Sequence, residues 1–74
     1  MVALIDQVRD KIQRLKMIRQ QLGWSEETCA HHLGVTYSTL NRWERGASLP
    51  KSQVVLKAIA HFIAKYEHQR SERG

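Results

Sequence analysis

Residues 25–46 read SEETCAHHLGVTYSTLNRWERG and contain start and stop signals for two short helices. Ser25 and Thr36 are residue types that favour helix N-caps, because their hydroxyl oxygens accept hydrogen bonds from backbone N–H groups of the first turn. Gly34 and Gly46 stand where a helix ends in the left-handed conformation that glycine adopts without strain. The signals predict helices at residues 26–33 and 37–45.

The two faces of this unit differ in chemistry. Helices that cross closely need a small residue at the contact and a glycine in the turn, and Ala30 and Gly34 supply them. The positions expected to point inward are apolar: Cys29, Leu33, Val35, Leu40 and Trp43. The positions expected to point outward are polar or basic: Tyr37, Ser38, Asn41, Arg42 and Arg45.

The flanking segments predict two longer helices. The first ends at Gly23, and its apolar positions recur at spacings of three and four: Leu4 or Ile5, Val8, Ile12, Leu15, Ile18 and Leu22. Pro50 prevents a continuous helix after the loop, so the last helix begins at Lys51 or Ser52. Its apolar stripe is Val55, Ile59, Phe62, Ile63 and Tyr66. Residues 69–74 form a polar tail that we expect to fray.

Length and charge limit the fold and the partners. The chain has 74 residues and a formal net charge of +5, so we expect one all-α domain over residues 1–74 that favours nucleic acid or an acidic membrane surface. No apolar run approaches membrane-spanning length, and of these two partners we expect nucleic acid and no membrane. With a lone Cys29 and a start, MVALIDQVRD, that lacks signal-peptide order, a cytoplasmic location is expected.

The chain resembles the lambda-repressor-like, Xre/Cro-type helix-turn-helix proteins over about residues 17–62. The resemblance rests on Arg19 before LG, the SEETCA block, LGVT and the WERG ending, all at the family's spacing. It places the helix-turn-helix at residues 25–45 and makes residues 1–16 an extension of the first helix. The usual family fold has a fifth helix after a short turn. In this chain HFIAKYEHQRSERG continues the fourth helix, so we expect a bundle of four helices, with five as the alternative.

The resemblance implies that the third helix enters the major groove of double-stranded DNA. The implied base contacts are Tyr37, Ser38 and Arg42, together with Thr36, Thr39 and Asn41. Arg42 is the strongest candidate, since arginine donates two hydrogen bonds to guanine, a pairing that contributes about 1–3 kcal/mol of discrimination. We therefore expect a guanine in each half-site.

The resemblance also implies phosphate contacts and a structural ion pair. The implied phosphate contacts are Ser25 with the backbone N–H groups near Glu26, and then Arg45 and Lys51. Family members usually have glutamine at the position of Glu26, and a carboxylate facing a phosphate would repel it. In the family, the arginine of the first helix pairs with the glutamate near the end of the recognition helix, which implies a buried pair between Arg19 and Glu44.

The sequence favours a DNA-binding transcriptional regulator that acts as a repressor. The alternative is a protein-interaction module, such as an antitoxin, that uses Glu26 and Glu27 against a basic partner. Oligomeric state stays open, because the first and last helices can pack within one chain or across a two-fold axis. The residues expected in that contact are Leu4, Ile5, Val8 and Ile12 against Phe62, Ile63 and Tyr66.

No catalytic, cofactor or metal site is expected. Asp6 and Asp10 lie one helix away from any nucleophile. Cys29 and His32 are three residues apart on one helix and could be metal ligands. No Cys-x-x-Cys pair exists, however, and two other candidate ligands, His61 and His68, lie on a different helix. We expect Cys29, Trp24 and Trp43 to pack in the interior.

Overall fold

The computed structural model describes the backbone of residues 4–73 and the side chains of residues 6–67. Within that range the chain forms four helices and no strand, which confirms the all-α class. The helices are α1 (Leu4–Leu22), α2 (Glu26–Leu33), α3 (Tyr37–Arg45) and α4 (Gln53–Arg73).

Local capping contacts fix the ends of α2 and α3. The backbone N–H of Thr28 donates to Ser25 Oγ over 3.1 Å, and that of Thr39 donates to Thr36 Oγ1 over 3.2 Å. Gly34 follows α2 at φ 80°, a left-handed conformation in which any side chain would be strained. The predicted helices at 26–33 and 37–45 are confirmed.

All four helices contribute to one apolar core. α1 packs along α4, α2 packs against α3, and the two pairs meet. The buried cluster consists of Ile12, Leu15, Ile18, Cys29, Ala30, Leu40, Trp43, Ile59, Phe62 and Ile63. Several other apolar side chains pack against it while half-buried: Trp24, Leu33, Val35, Leu49, Val55 and Tyr66. The polar side of α3 is therefore left at the surface.

One apolar position of α1 is more exposed than the others, and one predicted helix start is wrong. Leu22, the last residue of α1, is 37% exposed. Helix α4 begins at Gln53 rather than at Lys51 or Ser52, since Ser52 is the residue before the first turn and its carbonyl accepts from the N–H of Leu56 over 2.9 Å.

The ends of the chain bear on two other expectations. Helix α4 is continuous to Arg73, so a fifth helix is not found within residues 4–73. Fraying of residues 69–74 stays a prediction. The side chains of Leu4, Ile5 and His68 lie outside the described residues, while Val8 and Ile12 are buried on α1. No described helix has the length and apolar character needed to cross a membrane.

Burial makes a prediction for the thiol of Cys29. The side chain is 0% exposed, and burial, the largest contribution, raises its pKa from 9.0 to about 11. Because the thiolate is the reactive form, an aromatic disulfide reagent at pH 8 should label native Cys29 at least about a hundredfold more slowly than the denatured chain. Absorbance of the released thiolate measures the rate. A Cys29→Ala chain with Ser48→Cys in the exposed loop is the control, and equally fast labelling of native Cys29 would contradict its burial.

Candidate nucleic-acid interface

Helix α3 presents a polar surface on the side opposite its buried Leu40 and Trp43. Tyr37 is 51% exposed, and Ser38 and Arg42 are also exposed. Arg42 forms no side-chain hydrogen bond or ion pair with another described residue. Its guanidinium is therefore available to an external acceptor.

Three further candidates on this surface have partners within the protein. Thr36 and Thr39 share a hydroxyl–hydroxyl hydrogen bond of 2.9 Å at the start of α3. Asn41 is half-buried, and its Nδ2 donates to Glu26 Oε1 over 3.1 Å. Glu26 therefore faces α3, whereas the sequence placed it towards a phosphate.

The start of α2 and the end of α3 carry the candidate phosphate contacts. Ser25 is exposed beside the first turn of α2, where backbone N–H groups lack intrahelical acceptors and favour anions. Arg45, the last residue of α3, and Lys51, in the loop between α3 and α4, are also exposed.

A buried ion pair holds the end of α3 against α1. Arg19 Nε donates to Glu44 Oε2, and a terminal nitrogen of Arg19 donates to Glu44 Oε1, each over 2.9 Å. Its other terminal nitrogen donates to the carbonyl of Trp24 over 2.9 Å. The side chains of Arg19 and Glu44 are only 12% and 3% exposed. Two parallel charge-assisted bonds fix both distance and orientation.

Opposing effects act on the ionisation of this pair. The hydrogen bond to Glu44 is the main reason that the pKa of Arg19 is raised. Burial raises the pKa of Glu44, Arg19 lowers it, and the neighbouring carboxylate of Glu26 raises it again, with a net increase. One guanidinium thus lies near two carboxyl groups beneath the polar surface.

A helix-turn-helix family model matches residues 15–68, which include all of α2 and α3. The chain belongs to the Xre and lambda-repressor-like helix-turn-helix family. This is a family of DNA-binding transcriptional regulators and not of enzymes. The match extends slightly beyond the 17–62 expected from the sequence. No match was found among curated proteins or solved structures.

This helix-turn-helix domain has a third cation near its loop that the sequence did not single out. Arg9 of α1 lines a depression of about 290 Å³ together with Gln13 and Arg45, and an adjoining groove of about 650 Å³ together with Ser48 and Lys51. Helix α1 has several basic residues at a spacing that is typical of a solvated helix face. Arg9 differs from the other basic residues of α1 because it lies beside the loop after α3.

His32 and Trp24 have aromatic packing partners. His32 stacks on Trp24 with ring centroids 4.3 Å apart, and Trp24 also contacts Phe62 and Tyr66 edge-on. Among the described side chains, no three His, Cys, Asp or Glu residues lie close enough together to hold a metal ion. Cys29 is buried in the core and His32 stacks on Trp24, so packing accounts for the positions of both residues.

The ion pair predicts a large stability difference between two carboxylate substitutions. Glu44→Ala leaves Arg19 buried and unpaired, which should cost about 3–5 kcal/mol in the free energy of unfolding. Glu27→Ala removes an exposed carboxylate from the first turn of α2 and should cost about 1 kcal/mol or less. Urea unfolding followed by circular dichroism measures both. Equal midpoints for Glu44→Ala and Glu27→Ala would contradict the role of the pair.

Proposed function

We propose that this domain binds a specific double-stranded DNA sequence by placing α3 in the major groove, and that it represses transcription by occupying its site. The observation that carries the proposal is the position of Arg42. Its neighbours Trp43 and Glu44 are fixed in the interior, while its own guanidinium is exposed and without a partner among the described residues. A fixed helix with an available arginine suits base recognition.

The proposed roles divide the surface into base contacts and phosphate contacts. Arg42, Tyr37 and Ser38 contact bases directly, and the capping threonines Thr36 and Thr39 lie at the edge. Asn41 completes the base-contacting set. The phosphate contacts are Ser25 with the N–H groups of α2, Arg45, Lys51 and, as an addition from the geometry, Arg9. Phosphate contacts position the protein without selecting a sequence.

A homodimer on a palindromic site is part of the proposal. One α3 contacts only one half-site, and two copies would place their helices about 34–36 Å apart along one face of the duplex. Val8 and Ile12 are buried within a single chain, in which α1 packs against α4, and this supports a dimer surface elsewhere. The proposed site of action is the cytoplasm, where prokaryotic DNA lies.

The protein-interaction alternative has less support. It relied on Glu26 and Glu27 as an acidic patch at the start of α2. Glu26 is half-buried and hydrogen-bonded to Asn41, so Glu27 alone remains exposed there. The net charge of +5 favours an acidic partner instead.

Selection of bound duplexes from random DNA tests the proposed base contact. We expect a palindromic site with a guanine in each half. Arg42→Ala should cost about 1–3 kcal/mol on that site and remove the guanine preference. Lys51→Ala should weaken all sequences alike. Enrichment of no sequence by the unmodified chain, or an unchanged guanine preference with Arg42→Ala, would contradict the proposal.

The salt dependence of binding tests Arg9. Each phosphate contact makes the slope of log affinity against log salt concentration more negative by about 0.9. We therefore expect Arg9→Gln, which removes one such contact, to reduce the magnitude of the slope by that amount. Arg14→Gln is the matched control, because Arg14 lies within 3.9 Å of Asp10 and 3.6 Å of Glu67. Fluorescence anisotropy at several salt concentrations measures the slopes. Identical slopes for the two variants would exclude Arg9 from the phosphate surface.

A further inference from the structure

A single side-chain hydrogen bond connects the first residue of α2 to the middle of α3. Asn41 Nδ2 donates to Glu26 Oε1 over 3.1 Å, and both side chains are half-buried. Asn41 lies one helical turn after Tyr37 and directly before Arg42, within the proposed base-contacting set. Among the described residues of this set, Asn41 is the one whose side chain is hydrogen-bonded to a different helix.

The chemistry of the partner fixes which way the amide of Asn41 is turned. An ionised carboxylate only accepts hydrogen bonds. A half-turn of the amide would bring Asn41 Oδ1 against an oxygen of Glu26, so Nδ2 must face α2. Oδ1 is then directed away from Glu26, and the structure gives it no partner among the described residues. One acceptor and one remaining N–H are left for an external group.

Glu26 lies near the ion pair between Arg19 and Glu44. The carboxylate of Glu26 lies close enough to Arg19 to favour the charged guanidinium, and close enough to Glu44 to disfavour a second negative charge. Arg19 also carries the two hydrogen bonds that attach α3 to α1. The residue that accepts from Asn41 is thus a neighbour of the ion pair that positions α3.

We infer that Glu26 is a positioning residue for base recognition, and that through Asn41 it gives the domain a preference for adenine at one base pair. Adenine presents a donor at N6 beside an acceptor at N7 in the major groove. The acceptor and the N–H that Asn41 retains match this pair. The inference rests on the proposed function, in which α3 contacts bases.

Substitution of Glu26 by glutamine separates orientation from size. The glutamine side chain fills the same space, but an amide both donates and accepts. A glutamine–asparagine pair can therefore invert together, which would direct Asn41 Nδ2 outward and favour bases that present acceptors, guanine and thymine. The negative charge is the feature that permits only one orientation.

The base pair to be varied is the one at which the unmodified chain has a preference that Asn41→Ala removes. The experiment compares four duplexes that differ only at that base pair. The chain itself should prefer adenine by about tenfold, the effect expected from one well-formed amide–base pair. Glu26→Gln should reduce that preference to about threefold or less. Glu27→Gln makes the same charge change next door without a contact to Asn41, and it should keep the preference. Glu27→Gln should raise affinity for all four duplexes alike, since it removes an exposed negative charge near a polyanion.

A double-mutant cycle shows whether the effect passes through Asn41. In the Asn41→Ala background, Glu26→Gln should change the base preference no further, because coupled residues have non-additive effects. Thermal melts should show all variants folded. Adenine preference that survives Glu26→Gln, with the guanine preference at Arg42 intact, would overturn this inference and leave the proposed function standing. Absence of any base preference in the unmodified chain would overturn both.

Discussion

The paired hydrogen bonds between Arg19 and Glu44 are the constraint on which the position of α3 depends. Helix α3 has nine residues, too few to be stable or to hold an orientation by itself. The guanidinium of Arg19 bonds to both carboxylate oxygens of Glu44 and to the carbonyl of Trp24. One side chain of α1 thereby fixes the end of α3 and the turn before α2.

The same interaction links the interior to the surface proposed to meet DNA. Glu26 lies near Arg19 and accepts a hydrogen bond from Asn41, so the residue that orients the amide of Asn41 is a neighbour of the ion pair that positions α3. Arg42 lies beside this network without belonging to it. The surface therefore combines a side chain of fixed orientation with one that can adjust to its partner.

The sequence predicts the parts of this fold that depend on local signals. Hydroxyl caps at Ser25 and Thr36 and glycines after each helix determine the ends of α2 and α3, and these signals act over a few residues. The pairing of Arg19 with Glu44 was available only through the family resemblance. Leu22 belongs to the apolar stripe of α1 but is 37% exposed, and helical periodicity alone does not show such differences in burial along a stripe.

The remaining features depend on how the helices cross, which periodicity does not encode. Glu26 meets Asn41 only because α2 and α3 pack at the angle that Gly34 permits. Arg9 is distinguished from the other cations of α1 only by its place beside the loop after α3. The most direct test of the central claim is a titration of the labelled domain with a selected duplex, followed by backbone amide chemical shifts. We predict the largest changes in α3 and at the start of α2, whereas largest changes along the surface of α2 and α4 around His32, His61 and Lys65 would contradict the account.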